Sequence, residues 1–370
     1  MRVVIVGGGL MGAATAFFLA RRGIGVTLIE RDRVGQAATN ASFGNIRRQG
    51  RHLPQLPLAH RSRALWGETL ALLDEDVEFR ATGHVRFAFD EGAVADMEAF
   101  ARDAAPLGLT LEILGRNELR ARFPWAGPGA IAASFSPEDG SANPRLIAPA
   151  FARAAARLGA EIAEDCPVTA IESSGNGLRV ETARGTFPAD AVLNAAGAWG
   201  ARLAERLGEP VPIEAYGPQM GVTEPLPHRI LPVVGIWSRV KAEGVYFRQV
   251  ERGNIVFGGG KREPVALDPG HAKVDPANTL AQLPQLARLC PAIARVQVIR
   301  TWSGCEGYTG DMLPVMGPSR TAPGVFHAFG FCGHGFQLGP GVGDVMAELI
   351  ATGETPTPIA PYCIARFAAA

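Results

Sequence analysis

Three glycines and one acid near the start of the chain have the spacing of a dinucleotide-binding site. Gly7, Gly9 and Gly12 form a G-x-G-x-x-G motif, and Glu30 follows 18 residues after the last of them. Such glycines let the backbone approach a pyrophosphate at a helix N-terminus, while the acid accepts hydrogen bonds from a ribose 2′-hydroxyl. We therefore predict a dinucleotide site whose ribose carries no 2′-phosphate.

This site requires a strand, a turn, a helix and a second strand in that order, and the sequence predicts each of them. Val3 to Val6 suit a buried parallel strand, Met11 to Arg22 a helix, and Val26 to Ile29 a second strand. A secretory signal peptide is the alternative for this apolar start, but the glycines and the charged strand end disfavour it. The predicted contacts of the unit also include Leu10, Met11 and Arg31.

The composition argues against several classes of function. Lys plus Arg and Asp plus Glu each number 36, which indicates no nucleic-acid partner. Five cysteines without a C-x-x-C pair suit reduced thiols in the cytoplasm. The sequence has no H-E-x-x-H motif and no apolar run of about 18 residues, so we expect no metal site and no transmembrane helix. Peripheral contact with the inner membrane stays open.

A second domain is predicted to interrupt the first. From Pro212 to Ile299 the chain turns to strand-like segments and prolines, including a hairpin whose turn is Glu251 to Asn254. We predict an α/β fold: a dinucleotide-binding domain over residues 1–82, 141–212 and 300–370, and a mixed, largely antiparallel β substrate domain over 83–140 and 213–299. A glycine-rich loop from Gly330 to Gln337 is predicted to precede a helix that begins near Val342.

Nearly end to end, these motifs resemble the FAD-dependent family of D-amino acid dehydrogenases, glycine oxidases and sarcosine oxidases. VVIVGGGLMGAATAFFLARRG with Glu30, NAAGAWGARLAERLG, TGDMLPVMGP and FGFCGHGFQLGPGVG follow one another in the family's order. The resemblance implies a Rossmann-like FAD-binding domain of the glutathione-reductase type, with FAD as the cofactor. The further FAD contacts that it implies are Thr39, Ser42, Gly44, Asn45, Val168, Ala196, Gly197, Trp199, Asp311, Gly330, Gly333, His334, Gly335, Phe336 and Gln337.

The resemblance also implies oxidation of a C–N bond in an amino or imino acid, with hydride transfer to flavin N5 and an imine as product. Arg47, in GNIRRQGR, matches a family arginine beside the flavin, and a guanidinium suits a substrate carboxylate. Tyr246 and Arg248 match the strand that lines the family's substrate pocket. Arg48 and Arg51 are weaker candidates, and solvated surface charge is the favoured alternative for Arg51. His334 is either a flavin contact or a histidine bonded within its loop.

Glu306 is the departure from the family pattern. Related D-amino acid dehydrogenases have W-x-G-x-R where this chain has Trp302-Ser303-Gly304-Cys305-Glu306. An acid there suits a protonated secondary amine, so we predict a cyclic or N-substituted substrate that is proline-like, hydroxyproline-like or opine-like. The alternative for Glu306 is simple pairing with a nearby arginine.

Two alternatives for the whole protein stay open. One is a primary D-amino acid, sarcosine or glycine oxidase. The other is a non-catalytic FAD- or NAD-binding subunit of a larger complex, and membership of a hetero-oligomer fits either an active or an inactive chain. The electron acceptor, whether a quinone, an electron-transfer partner or oxygen, is not indicated by the sequence.

Overall fold

A computed structural model of the chain describes residues 1–174, 177–227, 229–240, 243–268, 270 and 272–368. Across these residues, no helix combines the length and the apolar character needed to cross a membrane. The helices are α1 (Leu10–Arg21), α2 (Ala38–Ala41), α3 (Leu56–Leu73), α4 (Glu91–Ala104), α5 (Arg116–Arg122), α6 (Ile147–Arg157), α7 (Gly200–Arg206), α8 (Pro276–Leu289) and α9 (Gly335–Thr352).

A six-stranded sheet carries the predicted dinucleotide unit at its centre. Its order is β21-β22-β12-β1-β2-β8, and every pair is parallel except β21 with β22. β1 is buried along Val3 to Val6, and its continuous apolar sequence is typical of a parallel strand that is packed on both faces. These strands are β1 (Arg2–Val6), β2 (Gly25–Ile29), β8 (Glu161–Ala163), β12 (Ala191–Asn194), β21 (Val315–Pro318) and β22 (Val325–Phe329).

A second sheet of eight strands is antiparallel except where β15 lies parallel to β4. Its order is β19-β14-β17-β16-β15-β4-β6-β5. The two sheets confirm the predicted α/β fold with a largely antiparallel second part, and the predicted hairpin is β16 with β17. These strands are β4 (His84–Ala88), β5 (Glu112–Gly115), β6 (Ala132–Ser136), β14 (Gln219–Pro225), β15 (Val233–Ile236), β16 (Val245–Gln249), β17 (Asn254–Gly259) and β19 (Val298–Ser303).

Three small sheets hold the remaining strands of the described residues. They are β9 (Val168–Ser174) with β10 (Gly177–Thr182) and β11 (Gly185–Ala189); β13 (Ile213–Gly217) with β18 (Glu263–Pro264) and β20 (Glu306–Thr309); and β3 (Asn45–Ile46) with β7 (Gly140–Ser141). β19 continues the eight-stranded sheet to Ser303, four residues past the point where the predicted second segment ends. The domain boundaries themselves stay a prediction.

Helix α9 begins at Gly335, seven residues before the predicted start near Val342, so that expectation was wrong. The run of glycines suggested a loop, yet these glycines lie on buried faces of the helix. A Cβ on Gly339 would meet Leu10 at 2.3 Å, and one on Gly343 would meet Ala14 at 2.4 Å. Glycine therefore allows α9 to pack closely on α1, and this tertiary contact outweighs the low helix propensity of glycine.

Candidate active site

The turn between β1 and α1 has the geometry that its glycines predict. Gly7 has φ +108°, and a Cβ there would lie 2.5 Å from the carbonyl oxygen of Ala195. A Cβ on Gly12 would clash with the Gly7 carbonyl, so that glycine seats the helix on the strand. Among the described residues, a Cβ on Gly9 would meet only the Thr39 hydroxyl, at 3.6 Å, which leaves room for a ligand. These contacts agree with the three separate roles expected of the motif.

Glu30 stands at the end of β2 beside this turn. Its Oε2 accepts a hydrogen bond from the Gly8 N–H at 2.7 Å, and its Oε1 accepts one from the Asp32 N–H at 2.9 Å. Burial raises the pKa of the Glu30 carboxyl, while these two N–H groups act to lower it. The carboxylate is thus fixed at the cavity wall with acceptor capacity left for a ligand hydroxyl.

A cavity of about 510 Å³ starts at this turn and extends to the N-terminus of α9. At its first end the Arg31 guanidinium lies 3.7 Å from the centre of the Trp199 ring, whose indole N–H donates to the Leu267 carbonyl at 3.0 Å. The predicted cofactor residues that line the cavity are Gly7, Gly9, Leu10, Met11, Glu30, Arg31, Thr39, Ser42, Val168, Ala196, Gly197, Trp199, Gly330, Gly333, Gly335 and Phe336. Residues far apart in the sequence therefore meet around one cavity.

Six of the predicted cofactor residues do not line the cavity. Asp311 accepts hydrogen bonds from Arg366, at 2.7 Å, and from the Thr309 hydroxyl, at 2.9 Å, which ties down its own loop. A Cβ on Gly44 would lie 2.3 Å from the Ala142 carbonyl, so the space there is filled by protein. The predicted cofactor residues outside the cavity lining are Gly12, Gly44, Asn45, Asp311, His334 and Gln337.

Glu306 lines the far end of the cavity, on β20. Its Oε2 accepts a hydrogen bond from the Tyr308 hydroxyl at 2.5 Å, and no cation of the described residues lies within 4.0 Å of its carboxylate. Burial raises the pKa of Glu306, whereas Tyr308 and the charge of Arg262 act to lower it. The arginine pairing considered from the sequence is thus not what holds this side chain.

Arg47, Tyr246 and His334 cluster beside this end of the cavity. The Arg47 guanidinium donates through Nη1 to the carbonyls of Gln49 and Gly50, at 2.7 and 3.1 Å. Burial raises the pKa of Tyr246 to about 12; Arg262 and Arg47 act to lower it and Glu306 to raise it. The charges of Arg47, Arg262 and Glu306 therefore all influence the Tyr246 hydroxyl.

Both the imidazole and the backbone carbonyl of His334 make hydrogen bonds with neighbouring residues. Its Nδ1 lies 2.9 Å from Gln55 Oε1, and its carbonyl accepts a hydrogen bond from Arg51 at 3.3 Å. Burial, followed by the charges of Arg47 and Arg51, keeps the pKa of His334 well below its ordinary value. The imidazole is accordingly neutral at neutral pH. A direct flavin contact for His334 stays a prediction.

Arg248 shares a strand face with Tyr246 but is bonded to the protein backbone. Its Nε donates to the Phe43 carbonyl at 2.9 Å, and burial lowers its pKa to about 10.

Arg48 is paired with Asp139 at 2.9 Å and with Glu138 at 2.8 Å. The expectation that Arg51 is a solvated surface charge was wrong, because its residue is only 5% exposed.

Sequence reasoning missed Arg262 and Tyr308. The Arg262 guanidinium lies 4.9 Å from the centre of the Tyr308 ring, and the residue as a whole is exposed. Tyr308 was detectable, since residues two apart on a strand share a face and Glu306 was already a candidate. Arg262 was not, because it follows β17 and reaches the cavity only through the pairing of β18 with β13.

The cavity fits a flavin dinucleotide on structural grounds. The turn at Gly9 and the carboxylate of Glu30 suit the pyrophosphate and ribose of the adenosine half. At the other end, no side chain in the described part of the chain caps α9, whose N-terminus borders the cavity at Gly335 and Phe336. Free N–H groups at a helix N-terminus stabilise negative charge, which a reduced isoalloxazine carries.

Comparison with known proteins places the chain in a family. The family described as DAO, FAD dependent oxidoreductase, matches residues 2–349. The glycine oxidase of Geobacillus kaustophilus (strain HTA426) is 31% identical over 373 residues, which cover 98% of this chain and 96% of that protein. The sarcosine oxidase subunit beta of an Arthrobacter species is 30% identical over 380 residues, covering 99% and 90%. The crystal structure of L-proline dehydrogenase from P. horikoshii superposes with a TM-score of 0.92 at 28% identity, over 99% and 97% of the two chains. The chain belongs to the DAO family of FAD-dependent oxidoreductases, enzymes that act on amino acids, and its cofactor is FAD.

Proposed function

We propose that the protein oxidises the C–N bond of an amino acid whose nitrogen is secondary, in a proline-like or hydroxyproline-like ring or with an opine-like N-substituent. The observation that carries this proposal is the position of Glu306, a carboxylate at the flavin end of the cavity that no arginine neutralises within 4.0 Å in the described part of the chain. A carboxylate in such a position attracts an ammonium group rather than a second carboxylate.

In this reaction the α-carbon loses a hydride and the nitrogen loses a proton, which leaves a C=N bond. Bound FAD supplies the hydride acceptor. Glu306 holds the ammonium form and accepts its proton, because hydride leaves most readily from a carbon beside a neutral amine. The Tyr308 hydroxyl donates to Glu306 at 2.5 Å and so keeps the carboxylate oriented.

Arg47 is proposed to bind a substrate carboxylate. Two of its donor contacts go to backbone carbonyls through Nη1, while Nη2 and Nε make no hydrogen bond or ion pair to the described residues. An arginine fork can present two parallel donors to a carboxylate. Tyr246, on β16, is proposed to contact the same ligand, because its hydroxyl has only the weak acceptor of the Met220 sulfur at 3.8 Å among the described residues.

The relatives support oxidation of amino acids as the general reaction, and they also support a place in a larger assembly. One of them is described as a subunit of sarcosine oxidase, so association of this chain with a different subunit is part of the proposal. Size-exclusion chromatography of the chain purified from its native cells tests that part: elution as a lone 39.0 kDa chain would contradict it.

The substrate proposal is tested by anaerobic reduction. Purified enzyme is mixed with proline and hydroxyproline stereoisomers, N-alkyl amino acids, primary D-amino acids, glycine and sarcosine, and bleaching of the flavin absorbance is followed. Secondary amines are expected to bleach the flavin faster than primary amines of the same size. Faster bleaching by primary D-amino acids would overturn the choice of substrate but not the general reaction.

A further inference from the structure

Gln49 is a fully buried glutamine beside the guanidinium of Arg47. It lies two residues after Arg47, in the segment that joins β3 to α3. Its backbone carbonyl accepts a hydrogen bond from Arg47 Nη1 at 2.7 Å, while its side chain reaches the eight-stranded sheet. One residue thus contacts both the arginine proposed to bind the substrate carboxylate and the second sheet.

The side-chain amide of Gln49 is anchored to two strands of that sheet. Its nitrogen lies 2.6 Å from the carbonyl oxygen and 2.8 Å from the Nδ1 of His84, on β4. Its oxygen accepts a hydrogen bond from the Ser134 hydroxyl at 2.6 Å, on β6. Because a carbonyl can only accept, the amide nitrogen must face His84 and the amide oxygen must face Ser134. Both N–H groups and the oxygen of the amide are therefore used in one orientation.

His84 is neutral and presents an acceptor to this amide. Burial, followed by the charges of Arg47 and Arg86, keeps the pKa of His84 well below its ordinary value. Since Nδ1 accepts from Gln49, the single ring proton is on Nε2. The contact between the amide and the imidazole therefore does not change around neutral pH.

The backbone that follows Gln49 is fixed as well. Gly50 has φ +67°, and its carbonyl accepts a second hydrogen bond from Arg47 Nη1, at 3.1 Å. A Cβ on Gly50 would lie 2.1 Å from Arg86 Nη1, so the absence of a side chain lets Arg86 lie against this turn. Arg86 itself donates to the Ile236 carbonyl at 2.9 Å. Two adjacent carbonyls of a fixed turn consequently converge on one nitrogen of Arg47.

We infer that Gln49 is a positioning residue for Arg47. Its side chain fixes the segment against β4 and β6, and its carbonyl fixes Nη1. The Nη2 and Nε groups, which make no hydrogen bond or ion pair to the described residues, are then presented to a carboxylate. A guanidinium held in advance loses less conformational entropy on binding than a mobile one. This inference rests on the proposed function for the role of Arg47 as the carboxylate-binding group.

Gln49→Met tests the inference, because methionine fills a similar volume and makes none of the three side-chain contacts. The segment should keep its fold, since Arg48 is bonded to Asp139 through both its side chain and its backbone N–H. FAD-loaded enzyme is titrated with propanoate, a carboxylate without an amine, and binding is followed by the perturbation of the flavin absorbance. We expect Gln49→Met and Arg47→Gln each to weaken propanoate binding about ten-fold. A loss in Arg47→Gln alone would overturn the inference and leave the proposed function standing.

A double-variant cycle shows whether Gln49 acts through Arg47. In the Arg47→Gln background, Gln49→Met should change the affinity for propanoate by less than about two-fold, because the group that Gln49 positions is no longer present. A further ten-fold loss in that background would mean that Gln49 acts on the site by another route, and the inference would be wrong.

Turnover of the best secondary amine gives a measurement that a loss of stability alone would not move. Gln49→Met should raise KM about ten-fold and keep kcat within about two-fold, because the carboxylate contact is made in both the substrate complex and the transition state. Gln249→Met is the matched control. Gln249 is also buried, donates to three backbone carbonyls, and lies on the strand face opposite Tyr246. Both variants should lower Tm, and an equal rise in KM in the control would refute a specific role for Gln49.

A crystal structure of the FAD-loaded Gln49→Met variant separates this inference from the proposed function. The Arg47 guanidinium should be displaced from the carbonyls of residues 49 and 50. If it keeps both contacts, Gln49 does not position it and the inference fails. If it is displaced while neither Arg47→Gln nor Gln49→Met weakens propanoate binding, the positioning stands and the proposed role of Arg47 fails.

Discussion

Replacing Glu306 with glutamine tests the residue on which the proposed substrate depends. Glutamine keeps the shape of the side chain and removes its charge, so packing against the cavity wall is preserved. The carboxylate accepts a hydrogen bond from Tyr308 at 2.5 Å and would make a second, charged one to the substrate. Hydrogen bonds to charged groups contribute about 1.5–3 kcal/mol, which corresponds to roughly a ten-fold to hundred-fold loss in kcat/KM if the bond forms in the transition state.

The pH dependence separates holding the amine from accepting its proton. Burial raises the pKa of Glu306, so in the native enzyme kcat/KM should fall as the pH falls through this raised pKa and the carboxyl becomes protonated. Tyr308→Phe removes a donor that stabilises the carboxylate, and the acidic limb should then move to higher pH. In Glu306→Gln that limb should disappear. Recovery of the rate at high pH is expected only if proton acceptance is the role that was lost.

The assay is anaerobic flavin reduction with the best secondary amine, at saturating and at low substrate, from pH 5 to pH 10. Glu251→Gln is the control, because Glu251 is 73% exposed in a surface ion pair with Arg80. That variant should match the native enzyme. If Glu306→Gln keeps kcat/KM within about two-fold at unchanged flavin content, the carboxylate is a bystander and the substrate proposal loses its support.

Three other predictions concern the cofactor, the stability and the electron acceptor. Gly9→Val should give a folded protein that retains little FAD, because the valine side chain would occupy the open space over the turn. Gly12→Ala should instead lower Tm, because the added Cβ clashes with the Gly7 carbonyl. The ratio of flavin to protein absorbance measures the first effect, and thermal melts measure the second. Glu209 accepts a hydrogen bond from buried His327; burial alone would raise its pKa, but its hydrogen bonds lower it to about 2. By linkage, the ionised Glu209 carboxylate contributes up to about 3 kcal/mol to the free energy of unfolding, and this contribution should be complete above about pH 5 and be lost as the pH falls toward 2. Denaturant unfolding of Glu209→Gln and of the native protein across that range measures the contribution. A difference between the two proteins that does not change with pH would contradict the prediction. Substrate-reduced enzyme should reoxidise slowly in air: the resemblance to sarcosine oxidases implies that a lysine on the pocket strand promotes reaction with oxygen, but Val256 matches that position here, and Lys261, just beyond β17, is 70% exposed and paired with Glu263. Peroxide formation within one turnover would contradict this.

Local pattern was enough to predict the dinucleotide unit. The glycine motif, the helix and Glu30 lie within 30 consecutive residues, and each step from strand to turn to helix has its own sequence signal. The class of the second sheet was also predictable, since its strands alternate and its hairpin has a short turn. The start of α9 was not, because the glycines that resemble a loop are explained only by Leu10 and Ala14 on another helix.

The charged residues of the site illustrate the same limit. Arg48 and Arg51 look alike in the sequence, yet Arg48 meets Asp139 from 91 residues away while Arg51 meets backbone carbonyls. Which arginine is neutralised depends on long-range contacts that no local pattern encodes. Arg262 escaped notice for the same reason, since its relation to Tyr308 depends on a sheet formed by three distant strands.

The central position of β1 has a consequence for synthesis on the ribosome. β1 and β2 emerge first and can pair at once, but the other neighbour of β1 is β12, which ends at Asn194, and the helix that covers α1 ends at Thr352. The face of α1 that packs on α9 must therefore wait for most of the chain to be translated before it is buried, whereas α6, which ends at Arg157, can cover Phe17 and Phe18 earlier. Contacts of such long sequence separation form slowly and leave apolar surface exposed in the meantime. Ribosome-bound chains that stop before Gly335 should consequently bind chaperones and fail to retain FAD, since one wall of the cavity has not yet been made.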